Sequence, residues 1–512
     1  MSRVGNCKEF FLTILKKPIF YFCVAFIVVN LFFTKQIMET SGADGFLFVA
    51  IIEIVVECLS VFILVKMRRK GMPLEKQFLF LALILGVLFI GILPPGQSPD
   101  ETTHFKRAYG ISGGILIPDE KVNSEGAIGS DIPVTTDFFE RTVDHGTYAE
   151  IANQIGLGTD ESSPQPYTSA ALYNFVCYIP QSFAALIGRA LHLSVLAMAY
   201  LMEIFNFIVW VLLVYFAIKL LPKFKSFVLF VALLPITLQE ATSLAPDALT
   251  IGLSMFFVSY VLHLAYVRKG TLGKKQMAIL TISSIVLGFC KIVYLPLTLL
   301  MLIIPKEKFG TKKKKWIFLG ALFTVVAILN FVWLLISSRY LISYRDGVDS
   351  KEQLMGVIKN PFNYIATMAR TTWTNAKIWV TNMLGFSLGA LIFNLPRALL
   401  VLSSGIFILL LGQRDETLKV KKFDRTIFII VFITIIGFIF TSLYMQWTAV
   451  GAPEIEGIQG RYFLPILMLL PLIICRTKAI KKYPTIISEK IVLYFSLFIN
   501  IIALVTIFAK NI

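Results

Sequence analysis

The residues with chemistry to offer stand in a few short stretches between long apolar runs. The densest is PPGQSPDETTHFKRAYGI, residues 94–111. Ser98 followed three residues later by Glu101, with Pro99 at the first helical position, predicts a capping box and a helix that begins at Pro99. On such a helix Asp100, His104 and Arg107 fall at i, i+4 and i+7 and share a face. A carboxylate beside an imidazole and a guanidinium suits a general base working next to an anionic substrate. Glu101 has the capping box to close, which leaves Asp100 the freer acid. The plainer reading is that Asp100 complements the helix dipole, as acids in first turns do.

A second stretch is MQWTAVGAPEIEGIQGRYFLP, residues 445–465. Arg461 follows Gly460 where a helix is expected to start, and a guanidinium at a helix N-terminus suits a phosphate. Gln459 stands beside it, and Glu454 and Glu456 add acids to the loop. The alternative is an arginine that snorkels to lipid headgroups. Arg370, Trp373 and Lys377 lie at i, i+3 and i+7 with Trp379 nearby, which predicts an amphipathic helix at the membrane surface with its aromatics at headgroup depth. Glu240 and Asp247 form a weaker acidic pair in one turn, and Lys291 and Tyr294, in another turn, are further candidates to meet a phosphate. Glu53, Glu57 and Glu203 sit inside apolar runs, where carboxylates are costly and argue for transport; the bland reading is packing glue, with Asn206, Asn330 and Asn500 for comparison. No GxxxxGK[ST], GxSxG or HExxH is present, and the six cysteines show no CxxC or Cys/His cluster, so no metal ligand set is read from the sequence.

These stretches have to be positioned by membrane helices. The chain is 57% hydrophobic and only 15% charged, against the 45–50% apolar content usual for soluble domains. Apolar runs of spanning length predict an all-α polytopic protein with about 13 transmembrane helices, near 19–34, 46–65, 78–93, 196–218, 226–238, 248–267, 276–290, 292–304, 316–336, 393–411, 426–446, 462–475 and 489–508. The first run follows Arg3, Lys8, Lys16 and Lys17 without a small-residue cleavage site, so it reads as a retained anchor. With the N-terminus in the cytoplasm, seven inner segments carry 32 of the 48 Lys and Arg residues, KMRRK at 66–70 and KKKK at 312–315 among them. The net charge of +17 therefore reflects topology and not a nucleic-acid surface. The expected organisation is one transmembrane domain over 1–512. An external loop with interfacial helices spans 94–192, and a second external loop with an amphipathic helix spans 337–392. Within the first, residues 94–167 hold twelve acids against four bases.

PPGQSPDETTHFKRAYGIS and the late IEGIQGRYFLPIL resemble the signature stretches of a bacterial polytopic membrane family known as domain of unknown function 2142, with looser similarity at PYTSAALYNFVCYIPQSFAALIGRAL and SLAPDALTIG. Thr102-Thr103 and Lys106 depart from the family's usual residues, and neither change removes the acidic pair or Arg107. That family resembles the GT-C glycosyltransferases, and the resemblance implies a multi-pass enzyme of the bacterial plasma membrane. Such an enzyme takes a polyprenyl-phosphate-linked sugar on the external face and passes the sugar, with inversion, to a cell-envelope glycan, a teichoic-acid-like polymer or a protein. Carried over, Asp100 matches the catalytic acid, Glu101 is the less favoured candidate, and Arg461 matches the phosphate-binding position, with Lys291 or Arg370 as helpers and His104 or Arg107 orienting. The resemblance requires no cofactor, although a divalent magnesium or manganese ion is compatible with it. Alternatives of other classes are a lipid-linked saccharide flippase or transporter and a polymerase of lipid-linked repeat units.

Overall fold

The computed structural model describes residues 18–118, 120–121, 128–133, 147–155, 162–340, 346–413, 420–475 and 487–512. In chain order the helices begin with α1 (Pro18–Ser41), α2 (Phe46–Arg69), α3 (Leu74–Ile92) and α4 (Glu101–Ser112). A small antiparallel sheet follows, built from β1 (Glu120–Lys121), β2 (Ile128–Pro133) and β3 (Ser162–Pro166) around α5 (Thr147–Gln154), with β2 in the middle. Next come α6 (Thr168–Ala171), a 3-10 turn Phe175–Tyr178, α7 (Ile179–Ala190), α8 (Val195–Leu220), α9 (Lys225–Ala232), α10 (Pro235–Ala241), α11 (Asp247–Leu262) and α12 (Lys274–Cys290). The chain continues through a long 3-10 helix Ile292–Ile303, α13 (Lys312–Ser337), α14 (Ser350–Lys359), α15 (Pro361–Met383) and the strand pair β4 (Ser387–Leu388) and β5 (Phe393–Asn394). It ends with α16 (Arg397–Leu411), α17 (Lys422–Gln446), a 3-10 helix Gly460–Ile466, α18 (Leu469–Ile474) and α19 (Glu489–Asn511).

The fold is that of an all-α membrane protein. Among the described residues seven helices are long and apolar enough to cross a bilayer: α2, α3, α8, α11 with the π-turn after it, α13, α17 and α19. The buried centre lies where α8, α11 and α19 meet their neighbours; Trp210 on α8, fully buried, packs against Phe78 and Phe207. α3 and α8 come close because Gly86 leaves room for the Phe207 ring, which would stand 2.0 Å from a Cβ at that position. Small residues at helix contacts serve this purpose in membranes.

Several expected spans are not continuous α-helices. The run 226–238 divides into α9 and α10 at Leu233–Leu234, because Pro235 has no N–H to continue the ladder. Carbonyls around the break are recovered by side chains: Thr237 Oγ1 donates to Val231 O at 2.7 Å and Asn500 Nδ2 donates to Leu233 O at 2.8 Å. A protein in lipid has no water for this task. The run 292–304 is a 3-10 helix, and twelve residues in that form reach about 24 Å where an α-helix would reach about 18 Å. The run 462–475 combines a 3-10 helix with the short α18. Residues 168–192, expected as an interfacial helix pair, form α6, a 3-10 turn and α7, whose twelve residues reach only about 18 Å. The sheet in the first loop had no signal in the pattern of residues.

Three of the basic segments, 268–275, 305–315 and 412–425, meet at one end of the bundle. Lys308 donates to Arg268 O, Leu272 N donates to Lys308 O at 2.7 Å, and Lys315 Nζ donates to Leu302 O at 2.8 Å. Tyr266, at the far end of the α11 span, donates to Asp424 at the start of α17. Asp247 begins that span, so the segment 239–247 and the basic end are separated by its 21 residues, about 30 Å. The basic residues before 18, and those in 414–419 and 476–486, lie outside the described residues.

Overpacking the contact between α3 and α8 should be costly. Gly86→Leu is expected to destabilise the detergent-solubilised protein by roughly 1–3 kcal/mol, seen as a lower melting temperature when the buried Cys177 and Cys290 become reactive to a thiol dye. Gly91→Leu, five residues on, should leave the midpoint unchanged, since a Cβ there meets nothing within 4 Å.

Candidate active site

Asp100 sits at the N-cap of α4 in the left-handed region, φ 64°, and its side chain makes no cap hydrogen bond. That conformation is costly for a residue with a Cβ, so its surroundings must hold it. Glu101 does much of the holding. Its Oε2 accepts from Gly96 N at 2.7 Å and Ser98 N at 3.0 Å, and its Oε1 accepts from Leu244 N at 3.1 Å. One buried carboxylate thus ties the loop that bears Asp100 to the turn 239–247. Behind the loop, Gln97 and Asn511 exchange two amide hydrogen bonds at 2.6 and 3.1 Å.

The predicted capping box is half realised. Glu101 reaches back to the Ser98 N–H as expected, but the helix starts at Glu101 and not at Pro99, and Asp100 takes the N-cap. Asp100, His104 and Arg107 consequently do not share one functional face. The Asp100 side chain is 68% exposed, whereas His104 and Arg107 are buried. Arg107 donates to the carbonyls of Ile115 at 2.9 Å and Leu116 at 2.7 Å, so it secures the C-terminal side of its own helix. Glu101, with both oxygens engaged by backbone amides, holds the loop instead of standing free as a second base. Burial pushes its carboxyl up to about 7 against the pull of those amides.

Arg461 draws the other segments in. It is 8% exposed, its Nη1 donates to both oxygens of Glu240 at 3.3 Å, and its Nη2 lies 3.6 Å from Asp100 Oδ2. The Arg461 Nε–H is buried without a partner among the described residues. Gly460 permits the placement: a Cβ there would stand 2.3 Å from Trp379 O and 2.5 Å from Met383 N at the end of α15. Lys291 caps α12 and pairs with Asp247 at the first residue of α11. Its ammonium lies 5.2 Å from the Tyr462 ring centroid and 5.8 Å from that of Tyr173, and Arg461 lies 5.6 Å from Tyr462. Tyr294 donates to Tyr462 O at 2.8 Å and fixes that backbone. His104 Nδ1 shares a hydrogen bond of 2.7 Å with Tyr178 OH, and Tyr173 meets the imidazole edge-on. Burial lowers the His104 pKa to about 4, which keeps the ring neutral near pH 7.

The structure therefore brings together Asp100, Glu240, Asp247, Lys291 and Arg461, with Glu101, His104 and Tyr294 in support. Gln459 takes part through its backbone, its O accepting from Tyr462 N at 3.2 Å, Arg370 is exposed on α15, and Arg107 turns away. The sequence reading missed Tyr173, Tyr178 and Tyr462. Tyr462 follows Arg461 directly and was the one with a signal; the other two stand in an apolar stretch where a tyrosine reads as packing. Two cations each paired with a buried carboxylate, beside a third carboxylate open to solvent, can orient an oxyanion and accept a proton next to it. Among the described residues no group of three or more His, Cys, Asp or Glu side chains could hold a metal ion.

Charging His104 costs more in the fold than in the unfolded chain, where imidazole titrates near 6.5. Its contribution to stability is full above pH 6.5 and is lost as pH falls toward 4. The unfolding midpoint should drop over that interval, and His104→Gln should flatten part of the drop; an identical slope in the variant would remove His104 as its source.

No curated protein and no solved structure matches the chain. Residues 83–470, which contain every member of the cluster, match the family described as "Predicted membrane protein (DUF2142)". The chain belongs to that family of membrane proteins.

Proposed function

We propose that the protein is a membrane glycosyltransferase of GT-C type that takes a polyprenyl-phosphate-linked sugar and transfers the sugar, with inversion, to a cell-envelope glycan, teichoic-acid-like polymer or protein. The observation that carries this reading is the solvent-open Asp100 carboxylate 3.6 Å from the buried Arg461 guanidinium. In the proposed reaction the donor's phosphate lies against Arg461 and Lys291, and Asp100 removes the proton from an acceptor hydroxyl as that oxygen attacks the anomeric carbon. The carbon–oxygen bond to the lipid phosphate breaks, and polyprenyl phosphate leaves with its charge met by the two cations. The phosphate is a good leaving group, so the scheme calls for no cofactor. The distribution of basic residues, 32 of 48 on the segments assigned to the cytoplasm, supports an external site.

A transporter reading draws on the intramembrane acids. Two of the three are occupied in helix packing, since Thr34 Oγ1 donates to Glu53 at 2.7 Å and Asn30 donates to Glu57. Glu53 Oε1, Glu57 Oε2 and Glu203 Oε2 are each buried without a hydrogen-bond partner among the described residues, and of the three Glu203 lies deepest in the bundle, on α8.

Synthetic polyprenyl-phosphate sugars carrying a label test the proposal, with envelope material from a strain lacking this chain as acceptor. Asp100→Asn should cut transfer about 100-fold or more, in line with loss of a general base, while Glu203→Gln should stay close to wild type. Full activity in Asp100→Asn would end the assignment. Labelled substrate that enters sealed vesicles unchanged, lost on Glu203→Gln, would put a transporter in its place.

A further inference from the structure

α15 is built inside out for a helix facing water. Part of its polar side faces the protein: Thr371 is fully buried and its Oγ1 accepts from Ile455 N at 2.9 Å, and Asn375 Nδ2 donates to Glu454 Oε2 at 2.9 Å, while Asn363, Thr372 and Thr374 stay exposed. Tyr364 OH shares a hydrogen bond of 2.8 Å with Thr441 Oγ1 on the same inner side. The outer side carries Phe362, Ile365, Ala369, Trp373 and Val380, spaced three, four and seven apart on one helical stripe. Of these Trp373 is 90% exposed and Phe362 81%. Water would penalise that arrangement by leaving the large apolar groups of the stripe exposed to it.

The direction of α15 follows from its contacts. Tyr364 and Trp379 are fifteen residues apart, about 22 Å along the helix. Their ring partners on α17 are Tyr444, at 5.0 Å, and Phe440, at 5.5 Å, which are only four residues or about 6 Å apart. α15 therefore crosses the end of a spanning helix steeply instead of running beside it. A helix across the end of a span lies along the membrane plane.

We infer that α15 lies in the plane of the membrane at the end of α17, with its Phe362–Trp373–Val380 stripe seated among lipid acyl chains and Arg370 and Lys377 at the level of anionic headgroups. The charge fits that partner, because α15 has two basic residues on its exposed surface and no acid anywhere along it. α14 extends the apolar face with Leu354, Met355 and Ile358, each about half exposed or more. Lipid contact also fixes the depth of the neighbouring cluster: Gly460 presses against the backbone at Trp379 and Met383, so Arg461, one residue on, stands at headgroup level. Trp379, expected with the outer aromatics, belongs to the inner face, 7% exposed.

The intact protein in vesicles of mixed zwitterionic and anionic phospholipid tests the inference through tryptophan fluorescence. Trp373→Phe is tolerable in an exposed position, and the emission it removes from the wild-type spectrum reports Trp373 alone. That component should be quenched by lipids brominated on their acyl chains and shielded from aqueous iodide. Quenching by iodide with no effect of the brominated lipids would overturn the inference, whatever the protein's activity proves to be.

Discussion

Burying a guanidinium without compensation is among the most expensive things a fold can do, and Arg461 is buried. Its charge has to be met, and Glu240 and Asp100 meet it from segments more than two hundred residues away in sequence. Lys291 poses the same demand and is answered by Asp247. Once these two cations are in place, the turn 239–247 must lie against the loop 94–100, and Glu101 locks the two with three backbone amides. The left-handed Asp100 persists because the loop around it has no freedom left to relax. Removing any one charge would strand another in a poorly solvated place, which is why the cluster behaves as a unit.

The second constraint is lipid, where no backbone polar group can turn to water. It explains the departures from regular α-helix. Pro235 breaks a run that would otherwise cross as one helix, and Thr237 and Asn500 take up the carbonyls. The break lets α10 carry Glu240 into the cluster, and the turn after it leads to Asp247 at the start of α11. The long 3-10 helix Ile292–Ile303 stretches a short apolar segment further than an α-helix could, and it starts beside Lys291. Two of the breaks in regular helix thus lie beside the residues with chemistry. The inverted α15 obeys the same constraint from the other side, placing apolar groups where lipid is the solvent.

Much of this was legible in the residues themselves. Membrane class and the positions of the long spans followed from apolar runs, because burial in hydrocarbon imposes a length on any helix that crosses it. Asp100 and Arg461 stood out because acids and bases are rare in such a chain, whereas the close approach that Gly460 permits against α15 came only from the packing. The division of labour between Asp100 and Glu101 was readable from the Ser-x-x-Glu spacing, although the helix starts later than that spacing suggested. The sheet at 120–166 was not legible, since its strands are short and polar and lack an alternating pattern.

Sequence alone determined that the chain lives in a membrane, where its long helices lie, and which few polar residues stand at their ends, because those properties depend on local composition and span length. Which of those residues meet was decided by the tertiary structure. Arg107 looked as suited to an anion as Arg461, yet it spends its donors on two carbonyls of its own chain, while Arg461 faces Glu240 and Asp100. Glu240 and Asp247 looked like a minor pair and turned out to be the counter-ions of the two buried cations. The physical reason is that a charge's partner is set by long-range packing of helices, and periodicity along the chain carries no record of it.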